Sequence, residues 1–136
     1  MAEFASDHSR DLSGTGKVAV VTLSDTRTAQ NDIGGDTIVE LATTSGHRIV
    51  QRILLKEDPR QIAETVRQLA DDTTVEVILI TGGTGIARRD TTYETIAGML
   101  TREIPGYGEL FRSLSFKEIG TAAMLSRAQG GLLGQT

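Results

Sequence analysis

The segment best suited to holding a phosphate is Thr81-Gly82-Gly83-Thr84-Gly85. Glycines let backbone N–H groups approach an anion closely, and the hydroxyl of Thr84 adds a donor. A plain tight turn would use the same residues, and the spacing matches neither of the common glycine fingerprints. Arg88-Arg89-Asp90 follows at once, two guanidinium groups beside a carboxylate. Thr91 and Glu94 have the spacing of a capping box, so Thr91 is expected to cap the next helix. That leaves Asp90 free to hold a cation or orient a phosphate, with a charged surface turn as the alternative. Glu57-Asp58-Pro59 offers a further carboxylate. Asp before Pro at a helix start reads first as an N-cap, although a cap can still face a site. Ser24-Asp25-Thr26-Arg27 supplies a hydroxyl, a carboxylate and a guanidinium, and Asp32 to Asp36 adds glycines and two more carboxylates.

These residue types limit the chemistry. The chain has no cysteine and only two histidines, His8 and His47, so thiolate metal sites and a histidine cage are excluded. His47 follows the helix stop Gly46 and reads as a surface residue. No nucleophile stands beside a base, which disfavours reactions needing a strong general base. Nucleotidyl transfer to an existing phosphate fits better, because the attacking oxygen is already ionised at neutral pH. The protein then has to supply positioning and charge neutralisation, usually with Mg²⁺ held by carboxylates and substrate phosphates. The net charge of -4 and an aromatic content of 4% give no footprint for nucleic acid. No run reaches the roughly 18 apolar residues of a membrane span. The polar start lacks an apolar signal core, so the cytoplasm is the expected compartment.

Alternating strand and helix patterns would position these loops. Residues 1–16 read as a polar, flexible lead-in, and residues 17–136 as one α/β domain. Lys17 to Leu23 is β-branched and apolar on both faces, as a buried parallel strand requires. A loop over 24–35 leads to a helix over 36–45, then a strand over 48–55. Pro59 opens a helix whose stripe is Ile62, Ala63, Val66, Leu69 and Ala70. Residues 75–80 predict a third strand, 92–103 a helix and 104–108 a turn. Residues 109–125 predict short helices around Ser113 and Ser115. The order argues a doubly wound sheet, in which ligands bind at the carboxyl ends of the strands.

Four blocks carry a family resemblance: VAVVTLSDTR at 18–27, TGGTGIARRD at 81–90, EIPGYGELF at 103–111 and EIGTAAMLSRA at 118–128. Together they resemble the MoaB/MogA family of molybdopterin adenylyltransferases, and the last two resemble its MoaB branch. The resemblance implies a three-layer α/β/α fold with a mostly parallel sheet, and a homotrimer or a hexamer of paired trimers. It implies transfer of AMP from MgATP to the terminal phosphate of molybdopterin. The family's two catalytically important aspartates match Asp58 and Asp90, with Asp90 a candidate Mg²⁺ ligand. The implied ligand-binding positions are Ser24, Asp25, Gly35, Asp36, Thr81, Gly82, Gly83, Thr84, Gly85, Arg89, Ser113, Ser126 and Arg127. A non-catalytic trimeric module binding molybdopterin or a nucleotide is the alternative. The related domain of competence-damage proteins is disfavoured by Arg88-Arg89-Asp90. Two departures stand out. Asp32-Ile-Gly-Gly-Asp36 replaces the branch's Asp-x-Ser-Gly-Asp, removing a hydroxyl at Gly34. The chain stops at Gly134-Gln-Thr136, where members continue with a strand, a Pro-Gly loop and a helix. Either the sequence is a piece of a longer chain or the domain lacks those elements, which would leave an open sheet position and an incomplete pterin side.

Overall fold

A computed structural model describes residues 14–136 of the chain. Most of the lead-in expected over residues 1–16, together with His8, lies outside the described residues. Three parallel strands form the main sheet: β1 (Lys17–Leu23), β2 (Arg48–Leu55) and β3 (Val77–Thr81), in the order β2-β1-β3. The central place of β1 follows from its sequence. Every residue from Val18 to Leu23 is buried, so both faces need apolar or paired side chains.

Successive β1 side chains point to opposite faces. Ala19, Val21 and Leu23 pack against Ile62, Val66 and Leu69 of helix α2 (Pro59–Asp71), together with Val75. The i, i+4, i+7 spacing of those helix residues supplies the buried stripe. Helix α1 (Ile33–Thr44) packs on β1 and β2 through the opposite face, where Thr22 and Ala42 are buried. The result is the expected three-layer α/β fold with a parallel sheet.

Several boundaries differ from the sequence expectation. Helix α1 begins at Ile33, three residues earlier than the expected start at residue 36, because Asp32 caps it by accepting from the Gly35 N–H at 3.0 Å. The two glycines of the presumed loop are its first turn. Strand β3 starts at Val77 rather than 75, since the Val75 N–H turns back to the Asp72 carbonyl. Helix α3 (Thr92–Met99) ends before the expected 103 because Leu100 is extended. The chain there enters a short strand, β4 (Arg102–Glu103), antiparallel to β5 (Gly131–Leu132). The expected turn at 104–108 is instead the start of α4 (Pro105–Ile119), with Pro105 in the first helical turn. Short helices expected over 109–125 are this one helix followed by a 3₁₀ segment, Gly120–Leu125.

Candidate functional site

Parallel strands place their carboxyl ends on one edge, and three loops meet there. Ser24, just past β1, donates its N–H to the carbonyl of Leu55 at the end of β2, at 2.8 Å. Asp25 reaches across to the loop after β2, accepting from the Glu57 N–H at 3.0 Å. Ser24 Oγ accepts from the N–H groups of Thr26 and Arg27, which curls its own loop. The glycine loop after β3 presses on the end of β1. A Cβ on Gly82, whose φ is +96°, would stand 2.4 Å from the Leu23 carbonyl, so only glycine fits. The N-terminus of α1 completes the edge: Gly34 lies beside the Arg27 guanidinium and Thr81 Oγ1.

Beneath this edge sits a charged cluster whose anchor is Asp32. It is 2% exposed, and its carboxylate accepts from Thr22 Oγ1 at 2.7 Å, the Gly35 N–H at 3.0 Å and Arg52 Nη2 at 3.2 Å. Burial alone would push this carboxyl up. The hydrogen bonds from Thr22, Gly35 and Arg52 outweigh it and hold Asp32 below the usual carboxylate range. Arg52 also pairs with Asp36 at 2.6 Å, and its guanidinium is shifted up chiefly by that contact and then by Asp32. Gly35 must lack a side chain, because a Cβ would fall 2.1 Å from Asp32 Oδ2 and 2.7 Å from Thr22 Oγ1. Arg52 is absent from the expected site, and Asp32 entered it only as one of the two carboxylates of its loop. Their signals were an Asp three residues before Gly35 and, beside Gln51, an arginine in the middle of β2.

The two aspartates singled out from the sequence have different local duties. Asp58 is the N-cap of α2, accepting from the Arg60 N–H at 3.0 Å. Asp90 folds over its own loop, with Oδ2 accepting from the Ala87 N–H at 2.9 Å and lying against Gly85. The expected capping box is not formed. Thr91 occupies the N-cap position of α3 without a side-chain bond, and Glu94 pairs with Arg127 instead. That pair holds Glu94 below its ordinary range. Among the described residues no three acidic or histidine side chains converge as a metal cage. A Mg²⁺ ion here would draw its remaining ligands from substrate phosphates and water, as this hard cation commonly does. His47 is half-buried rather than fully on the surface, with Nδ1 accepting from the Gly16 N–H at 3.0 Å.

Residues 19–135 match the family described as a probable molybdopterin binding domain. The chain belongs to the molybdopterin-binding family. It is 44% identical over 126 residues to molybdenum cofactor biosynthesis protein B of Halalkalibacterium halodurans, covering 92% of this chain and 74% of that protein. The protein of the same description from Staphylococcus carnosus is 47% identical over 121 residues, covering 86% and 70%. A crystal structure of a molybdenum cofactor biosynthesis protein B superposes with a TM-score of 0.85 at 41% identity, covering 91% of this chain and 78% of that one. These likenesses bear out the MoaB/MogA resemblance and its fold.

Within this molybdopterin-binding fold the remaining candidates separate. Arg88 and Arg89 are exposed beside the glycine loop. Ser113 is exposed on α4, and no described contact joins it to the strand ends. Ser126 Oγ is buried without a hydrogen-bond partner. The residue also lines a cavity of about 410 Å³, with Tyr93, Arg112 and Gln129. Arg127 reaches the glycine loop directly, with its backbone N–H on the Thr84 carbonyl at 3.0 Å.

Proposed function

We propose that this protein acts in molybdenum cofactor biosynthesis as a molybdopterin adenylyltransferase. The observation that carries the reading is the meeting of three loops at the strand ends. They bring Ser24, Asp25, Asp58, Asp36 and the Thr81–Gly85 loop to one edge of a molybdopterin-binding fold. The terminal phosphate oxygen of molybdopterin attacks the α-phosphorus of ATP. A new P–O–P bond forms, the bond to the β-phosphate breaks, and pyrophosphate leaves. No proton has to be removed from the nucleophile, which accords with the lack of a nucleophile–base pair in the loops.

Mg²⁺, when bound with ATP, neutralises phosphate charge and steadies the leaving pyrophosphate. Asp90 stands at the glycine loop to orient that ion, and the loop's N–H groups receive phosphate oxygens. Arg88 and Arg89 add positive charge at the entrance. Asp58 combines its capping role with a place at the end of β2. Among the described residues no helix is long and apolar enough to cross a membrane, and the proposed setting is the cytoplasm.

The proposed assembly is a homotrimer, or two trimers paired. Its support is α4, which leaves Tyr107 47%, Leu110 62% and Leu114 55% exposed along one stripe. An apolar face of this kind is normally covered by another surface. The activity is tested by incubating the protein with molybdopterin and α-labelled MgATP. Label on molybdopterin with release of pyrophosphate is the expected result. Tight molybdopterin binding without label transfer would replace the enzyme reading with a non-catalytic binding module.

A further inference from the structure

We infer that Arg127 is a positioning residue that latches the glycine loop and Asp90 into shape, rather than a ligand for phosphate. The inference rests on the proposed adenylyltransfer only for its consequence for rate; its geometry stands alone. Each of the three guanidinium nitrogens makes a contact within the protein. Nε donates to the Gly85 carbonyl at 2.8 Å, Nη2 donates to the Asp90 carbonyl, and Nη1 pairs with Glu94. The guanidinium carbon also lies 5.2 Å from the centre of the Tyr93 ring. One planar fork therefore bridges both ends of the Gly85–Asp90 turn and ties them to the first turn of α3, which a lysine cannot reproduce.

The segment bearing Arg127 is itself held from the other side. Arg112 of α4 donates Nη1 to the carbonyls of Ser126 at 3.2 Å and Ala128 at 3.0 Å. The Gln129 amide donates to the Tyr93 carbonyl at 2.9 Å. The Thr84, Gly85 and Asp90 carbonyls are thus drawn toward residue 127. Carbonyls turned to one side leave the loop's N–H groups to face an anion on the other, which is the polarity a phosphate cradle needs. An arginine close to such a loop invites assignment as a phosphate ligand. Here three of its five N–H donors, one on each nitrogen, are already engaged, two by the loop that would do the binding and one by Glu94.

The test is amide hydrogen exchange of the unliganded protein, in the wild type, Arg127→Lys and Glu94→Gln. Inside the loop, the N–H groups of Ala87, Asp90 and Thr91 are hydrogen-bonded and report its closure. Loss of the latch should speed exchange at these amides on the order of tenfold in Arg127→Lys, and less in Glu94→Gln, while β1 amides stay protected. The same Arg127→Lys should lower kcat for AMP transfer more than it raises the KM for ATP. Unchanged exchange in the loop with weakened ATP binding would overturn the latch and make Arg127 a direct ligand. If the wild type transfers no AMP, the adenylyltransfer reading fails, yet faster loop exchange in Arg127→Lys still upholds the latch. Should Arg127→Lys not fold, Glu94→Gln alone decides, and unaltered loop exchange there counts against the latch.

Discussion

Removing the Asp32 carboxylate should cost more than an ordinary surface cap. Asp32→Ala takes away the side chain that accepts from the Gly35 N–H at the start of α1, a loss of about 1 kcal/mol for a typical cap. It also strips Thr22 Oγ1 of its partner, and Thr22 is only 1% exposed. A buried hydroxyl left unpaired adds about 1–3 kcal/mol. Arg52 keeps Asp36 and is more than a third exposed, so its lost contact adds little. The expected total is roughly 2–4 kcal/mol in equilibrium denaturation. Adding Thr22→Val to Asp32→Ala should recover about 1 kcal/mol or more, because replacing both partners removes the unpaired group. A loss below about 0.5 kcal/mol, or no recovery in the double variant, would show that the carboxylate does not hold this corner.

The same carboxylate sets an acid limit. Its folded pKa is lowered, so its stabilisation is fully present above the unfolded value near pH 4 and drains away as pH falls through the lowered folded value. Asp32→Asn should flatten that part of a pH–stability profile below about pH 4, and an unchanged slope would assign the effect elsewhere. Asp58→Ala should lose about 0.5–2 kcal/mol of stability along with AMP transfer, since it caps α2; an unchanged melt would leave it only a site role. Asp90→Asn should melt like the wild type, because an amide oxygen can still accept from the Ala87 N–H, while losing most AMP transfer. Near-normal turnover in that variant would remove Asp90 from catalysis. Leu114→Glu on α4 should convert a light-scattering trimer to monomer, and an unaffected mass would place the assembly face elsewhere.

What the sequence disclosed depends on how local the governing interaction is. Strand β1 was legible because six residues buried on both faces, Val18 to Leu23, leave a β-branched run. Helix α2 was legible because Asp58, Pro59 and the Ile62–Val66–Leu69 stripe agree. The start of α1 was not, because two glycines read as loop until Asp32 is seen to be pinned by Thr22 and Arg52, ten and twenty residues away in the chain. The capping box failed for a related reason. Glu94 had the right spacing for Thr91, but Arg127, thirty-three residues on, competes for its carboxylate with a full charge. At the site, the glycine loop and both aspartates were visible as residue types in strand-end loops. Their placement along one sheet edge, and the Asp32–Arg52–Asp36 network, follow from strand order, which no local pattern encodes.

A structure of the protein with MgATP tests the central claim most directly. The account predicts phosphate oxygens within hydrogen-bond distance of the N–H groups of the Thr81–Gly85 loop, with Mg²⁺ toward Asp90 and Arg127 still holding the Gly85 and Asp90 carbonyls. Nucleotide bound away from the strand ends, such as in the cavity beside Ser126, with the glycine loop empty, would contradict it.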